Sequence, residues 1–173
     1  GVCGRGKNGG DGFVVVRHLL AAGIHAEALV LAEREAVTGD AKANLDAIIG
    51  LGAPVSFIGD DLAPLHAVLA RGGVAVGAVF GSGLTGALEG RMLAVVEAFN
   101  AATCPVVALD LPSGIDATTG AVLGDAVDAD VTVTFAHLKA GLVQGDGALH
   151  DGVVEIAPLG IPDAAVLDVT GRR

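Results

Sequence analysis

Asp110 closes an apolar run, Pro105-Val106-Val107-Ala108-Leu109, that reads as a buried strand. A carboxylate at such a place is costly unless it is paired or used. Held at a strand end, it can act as a general acid or base or accept a hydrogen bond from a hydroxyl. The alternative is a structural aspartate accepting the N–H groups of Ser113 or Gly114. Ser113 follows Pro112 and offers a hydroxyl, but no histidine stands at nucleophile-elbow spacing and no helix follows, so a serine hydrolase is rejected. Asp116 reads as the cap of the turn at Ala117-Thr118, with a second reacting carboxylate as the other reading.

Two glycine-rich loops accompany this aspartate. The first is Lys7-Asn8-Gly9-Gly10-Asp11-Gly12, directly ahead of a helical pattern. Glycine lets a backbone approach a ligand closely, and the N–H groups at a helix start favour an anion. Asp11 suits the N-cap of that helix, or a ligand contact. Asn8 supplies one acceptor and two donors to whatever lies in the loop. Gly4, Gly6 and Gly9 also spell G-x-G-x-x-G, which predicts an acidic ribose ligand about 20 residues on; Glu33 or Glu35 would serve. The expected helix start at Asp11 or Gly12 puts these glycines out of register with that fingerprint. The second loop is Gly81-Ser82-Gly83-Leu84-Thr85-Gly86-Ala87. Glycines around two hydroxyls read as a second phosphate cradle, against the plainer reading of a tight turn.

The elements that position these loops alternate. Apolar positions predict helices over 12–22, ending at Gly23, and over 39–49, 62–70 and 88–101. Short β-branched runs predict strands over 26–32, 54–58, 74–80, 105–109, 131–135 and 153–156. Strand and helix alternate to residue 110, the signature of βαβ units. Beyond about residue 115 helices fade. The expected fold class is α/β, a three-layer α/β/α Rossmann-like sandwich with a mainly parallel central sheet, as one domain over 1–173. In such sheets ligands bind beyond the carboxyl ends of the strands. The three unusual loops all stand there.

Composition narrows the field. The chain has 173 residues, 52% of them hydrophobic, with a net charge of −10. An acidic chain of pI near 4.6 does not fit a nucleic-acid surface. The longest uncharged stretch, 72–88, is too punctuated by glycine for a membrane span, so no membrane partner is expected. Cys3 and Cys104 sit in or beside apolar runs and read as buried thiols. The histidines show no zinc-ligand spacing. Residue 1 is glycine and falls in or just after a strand, which suggests a trimmed or partial chain.

Taken in order, GRGKNGGDG, GAVFGSGL, LDLPSGIDATTG and TVTFAHLKAGL, with the GIP at 160–162, resemble the NAD(P)HX epimerase family, the YjeF N-terminal domain. The resemblance implies a Rossmann-like three-layer fold without the helical segment that usually precedes the first strand. It implies isomerisation of the S and R forms of hydrated NADH and NADPH, which carry a hydroxyl at carbon 6 of the nicotinamide ring. The nucleotide is then a substrate and not a hydride-carrying cofactor. Binding is implied for Lys7, Asn8, Gly9, Gly10 and Asp11, for Gly81, Ser82, Gly83, Leu84, Thr85, Gly86 and Ala87, and for Asp110, which is also the expected catalytic residue. Potassium is implied at Asn8 and Ser113. Three positions depart from the family pattern. Lys7 replaces an asparagine, Ser82 a threonine, and Gly77 an aspartate that binds potassium. Lys139, in the KAGL match, reads as a phosphate contact or, more plainly, a surface lysine. The resemblance further implies a cytoplasmic protein, allows a homodimer, and allows a fused ADP- or ATP-dependent NAD(P)HX dehydratase domain beyond this chain. The competing readings are a non-catalytic binding module and an NAD-dependent oxidoreductase.

Overall fold

The computed structural model describes residues 1–162 and 164–165. Seven strands form one sheet with every pair parallel: β1 (Val2–Cys3), β2 (Ala28–Val30), β3 (Val55–Phe57), β4 (Ala75–Ala78), β5 (Val106–Leu109), β6 (Val131–Phe135) and β7 (Val153–Ala157). Their order is β3-β2-β1-β4-β5-β6-β7. From β1 the chain winds outward through β2 and β3, then returns to the other side of β1 as β4. The point between β1 and β4 is where the winding reverses, and there the connections leave a crevice.

Among the described residues, four α-helices cover the sheet: α1 (Lys7–Ala21), α2 (Gly39–Gly50), α3 (Ala63–Ala70) and α4 (Gly90–Asn100). One face packs α1 and α2 through Phe13, Val16, Leu45 and Ile48 against Cys3, Val30 and Ala78. The other packs α3 and α4 through Leu65, Leu69, Val95 and Phe99 against Leu29, Val79 and Val106. Strands buried on both faces are apolar throughout, as Ala28-Leu29-Val30 is. Arg91, at the start of α4, donates to the carbonyls of Leu31 and Ile58 at 3.2 and 2.8 Å, tying that helix to the ends of β2 and β3. Beyond β5, loops and two short 3-10 turns (Ala140–Leu142 and Gly145–Leu149) replace the helices over a small cluster of Leu111, Ile115, Ala126 and Leu142. The three-layer α/β/α expectation and its fading helices are what the structure contains.

The start of α1 differs from the sequence reading. The helix begins at Lys7, not at Asp11 or Gly12. Glycine disfavours a helix by about 1 kcal/mol, so the glycine pair read as loop. Tertiary packing overrides that preference. A Cβ on Gly9 would lie 1.8 Å from the Gly4 carbonyl oxygen. On Gly12 it would lie 2.6 Å from the Cys3 sulfur and 2.7 Å from the Ala78 Cβ, and on Gly10 it would lie 3.1 Å from the Ala41 Cα. None of the three has positive φ. They are there so that α1 can lie directly on β1, β4 and α2. Gly6 is the N-cap, and Asp11, one turn further on, caps nothing. At the other end Gly23 takes φ 75°, and the N–H groups of Gly23 and Ile24 close onto Leu20 and Leu19, as a glycine-terminated helix does.

Glycine substitutions should therefore split in sign. Gly12→Ala is expected to lower stability by about 1–3 kcal/mol through overpacking. Gly50→Ala, whose new methyl meets nothing within 4 Å, should raise it by about 0.5–1 kcal/mol. Urea unfolding of the two variants beside the parent measures both.

Candidate active site

A cavity of about 830 Å³ opens at the carboxyl edge of the sheet, where β1 and β4 diverge. Residues after β1 form one wall, from Arg5 to Asp11, and residues after β4 form the other, from Val79 to Leu84. Asp110, Val14, Val15, Phe135 and Leu159 complete the lining. The volume suits a small organic ligand.

Two neighbouring strands end in the same unusual way. After β5 the N–H of Leu111 bonds the carbonyl of Leu109 at 3.0 Å, around Asp110 at φ 71°. After β6 the N–H of His137 bonds the carbonyl of Phe135 at 2.8 Å, around Ala136 at φ 62°. Both are three-residue turns of positive φ, strained for any residue with a Cβ. Asp110 and Ala136 are the only described non-glycine residues with positive φ. The first turn aims the Asp110 carboxylate into the cavity. The second reverses the chain so that Lys139 comes back over β6. Lys139 Nζ lies 2.6 Å from Asp110 Oδ1 and donates to the Phe135 carbonyl at 2.6 Å. The side chains of Lys139 and Asp110 are 19% and 13% exposed, so this is a largely buried ion pair rather than a surface lysine. Asp110 Oδ2 accepts the Ser82 N–H at 3.2 Å. The structural role expected for Asp110, holding the N–H groups of Ser113 or Gly114, is not observed.

The two glycine loops meet at Gly81. A Cβ there would lie 3.0 Å from Asp110 Oδ2 and 3.3 Å from Asn8 Nδ2, so Asn8, Gly81 and Asp110 converge on one small volume. Asn8 is 9% exposed, and neither oxygen nor nitrogen of its amide has a partner. A buried, wholly unsatisfied amide is costly in a folded chain, which points to a ligand on it. Asp11 is half-buried beside the same volume. Burial, and then the charge of Asp110, raises its carboxyl above the ordinary value.

The remaining predicted residues divide. Lys7, Asn8, Asp11, Gly81, Ser82, Gly83, Leu84 and Asp110 line the cavity; Gly9, Gly10, Thr85, Gly86 and Ala87 do not. Gly9 and Gly10 serve close packing instead. Ser113 is buried, and its hydroxyl accepts the Phe80 N–H and donates to the Phe80 carbonyl, each at 3.0 Å, stapling the second loop to the third. Asp116 accepts from Thr118 N, Thr119 N and Thr119 Oγ1, which hold its carboxyl below the usual range, so it is the turn cap. Glu33 and Glu35 lie outside the cavity, which leaves a ribose ligand of the dehydrogenase type without a place in it. Arg5 and Phe135 are cavity residues that the sequence reading passed over. The turn after TVTF was the available signal for Lys139, since it returns the chain to the strand end.

Potassium fits this set poorly. Of the three family positions, Asn8 has an unpartnered amide oxygen. Ser113 keeps a single lone pair beyond its two bonds to Phe80, and Gly77 supplies no carboxylate, with an added Cβ directed at the Phe99 ring 3.6 Å away. Among the described residues no cluster of His, Cys, Asp and Glu could hold a metal ion, and no described helix is long and apolar enough to cross a membrane.

A doubly wound parallel sheet with a cavity at its reversal point, glycine loops on both sides and the Lys139-paired Asp110 in its lining defines an α/β protein of the class that binds ligands beyond the strand ends. Residues 2–141 match the model of the family described as YjeF-related protein N-terminus, and the chain belongs to that family. It is 35% identical over 167 residues to the NAD(P)H-hydrate epimerase of Weissella koreensis, covering 96% of this chain and 72% of that protein. It is 42% identical over 171 residues to the bifunctional NAD(P)H-hydrate repair enzyme Nnr of Moorella thermoacetica, covering 95% of this chain and 31% of that one. The chain thus spans about a third of the length of such bifunctional relatives. The crystal structure of yeast ynu0 shares the fold, with a TM-score of 0.75 at 23% identity over 93% of this chain and 66% of the yeast chain.

The raised carboxyl of Asp11 gives a pH test. A proton is held more tightly in the folded state, so the stability this group contributes is complete below its unfolded value near 3.8 and is lost as pH rises through the folded value. Asp11→Asn is therefore expected to unfold at higher temperature than the parent at pH 7, with the gap closing as pH falls to about 4 and below. Thermal melts across pH 3.5–8 read it directly.

Proposed function

We propose that this chain interconverts the S and R epimers of hydrated NADH and NADPH as a repair of damaged nicotinamide nucleotides. The observation that carries this reading is the largely buried Asp110–Lys139 pair at 2.6 Å, whose aspartate lines a cavity of about 830 Å³. Relatives that bear the name NAD(P)H-hydrate epimerase support it.

The substrate carbon bears a hydroxyl and a ring nitrogen. Inversion needs the C–O bond to break with its electron pair going to oxygen, a proton to reach that oxygen, and water to return on the opposite face. The Lys139 ammonium, held by Asp110 Oδ1 and the Phe135 carbonyl, has a third N–H directed to neither, and that is the proton for the leaving oxygen. The resulting iminium-like ring is cationic, and the carboxylates of Asp110 and Asp11 face it. Water adds to the other face and gives its proton to solvent, solvent reprotonates Lys139, and the protein ends as it began. The Ser82 N–H steadies Asp110, and Ser113 holds the loop that presents it. No step is assigned to potassium. The same reading extends to a dehydratase domain in the full-length protein, to a homodimer and to a cytoplasmic setting. The first of these is supported by relatives roughly three times the length matched here.

Asp110→Asn and Lys139→Gln are each expected to slow epimerisation by about a hundredfold or more while the fold is retained. Conversion of separated S and R hydrated NADH, followed by NMR or HPLC, is the measurement. Parental rates in both variants would remove the pair from the mechanism. Exchange of potassium for sodium in that assay should leave the rate unchanged.

A further inference from the structure

Aromatic residues are scarce in this chain: five phenylalanines, with no tyrosine and no tryptophan. Phe13 and Phe99 are wholly buried in the two cores, and Phe57 belongs to β3. The remaining two, Phe80 and Phe135, both line the cavity. They come from strands on either side of Asp110. Phe80 stands two residues past β4, Asp110 directly follows β5, Phe135 is the last residue of β6, and these three strands are neighbours in the sheet. Phe80 packs against the core beneath α3 and α4, and Phe135 against the core beneath α1 and α2. Each residue is half-buried on a different face of the sheet, and both open to the same cavity.

Both are held at the backbone by groups that belong to the acid–lysine arrangement. The Phe80 N–H and carbonyl bond the Ser113 hydroxyl, three residues past Asp110. The Phe135 carbonyl accepts from Lys139 Nζ, and the next N–H, of Ala136, bonds the Ala157 carbonyl at 2.9 Å. Two scarce aromatic side chains are thus fixed around Asp110, and neither the proton transfer nor the glycine loops account for them.

A phenyl ring carries negative potential on its face and meets a cation, or the positive edge of another ring, with that face. The hydrated ring is neutral before its C–O bond breaks and cationic afterwards. We infer that Phe80 and Phe135 flank the reacting ring and stabilise its cationic form by edge-to-face contact, an inference that rests on the epimerase reading of the site. Such contact strengthens as the charge develops, so it lowers the barrier more than it tightens the ground state. It also leaves both faces of the reacting carbon open to water, as inversion requires.

Phe80→Leu/Phe135→Leu keeps apolar bulk and loses the aromatic faces. In the epimerase assay it should lower kcat for hydrated NADH about tenfold, the size of a pair of cation–π contacts, with KM within about twofold of the parent, the split expected of an interaction made in the transition state. Phe80→Tyr/Phe135→Tyr, which restores the faces, should recover most of that loss. A second readout needs no turnover. NAD⁺ carries a cationic ring and NADH a neutral one on the same scaffold, so calorimetry with each isolates the charge. The leucine variant should lose about tenfold in affinity for NAD⁺ and less than about twofold for NADH. If either double variant fails to fold, the single variants carry the same comparisons at about threefold each. Hydrated NADH left unconverted by the parent would remove the epimerase reading, and the two nucleotides would still decide the aromatic pair. No NAD⁺ binding to the parent, an equal loss for the two nucleotides, parental kcat in the leucine variant, or a loss that tyrosine does not restore would overturn the inference.

Discussion

Gly9 and Gly12 let the first turns of α1 lie close on the Gly4 backbone and on the Cys3 and Ala78 side chains of β1 and β4, with no side chain of their own in between. The geometry of the carboxyl edge follows from that contact. A helix held this close starts immediately after β1, so its first turn stands in the crevice and not above it. Asn8 is carried into a buried position without a partner, and Arg5 and Lys7 are left at the mouth. Side chains in place of those glycines would lift the helix, and the wall formed by its first turn would move with it. Three glycines in one helix are locally unfavourable, and their combined cost of about 3 kcal/mol is offset only because the packed position exists.

The opposite side of the crevice depends on backbone strain. Asp110 and Ala136 end adjacent parallel strands in turns of positive φ, each of order 1–3 kcal/mol less favourable than ordinary backbone. The turns make an encounter possible that two parallel strands alone would not give. Asp110 is swung into the cavity, and Lys139 is returned over β6 to meet it. Each group is then buried with its partner. Removal of either would leave a desolvated charge, the situation in which a buried pair matters most. Ser113, whose hydroxyl bonds both backbone groups of Phe80, links this arrangement to the second glycine loop.

The Asp110 loop, the two glycine loops and the alternation of elements were legible because each is local. A carboxylate ending an apolar strand, hydroxyls among glycines and a period that switches between 2 and 3.6 are properties of short segments. Pairings between distant segments were not legible. Lys139 looked like a surface lysine because nothing near it in sequence says that its ammonium meets a residue 29 positions earlier. Nothing near Ser113 in sequence shows its hydroxyl bonds to Phe80, which span 33 residues.

The first glycine loop shows the division most sharply. Residue types and spacing alone were enough to place a glycine-rich stretch over 4–12 ahead of a helical pattern, with acid, amide and lysine groups among its glycines. They also determined an α/β chain with its loops at the strand ends, because hydrophobic periodicity is written residue by residue. What the glycines are for emerged from packing between segments. Their missing side chains are filled by Gly4, Cys3, Ala41 and Ala78, residues of other segments. Helix propensity acts along the chain and close packing acts across it, and here the packing across it set where the helix begins.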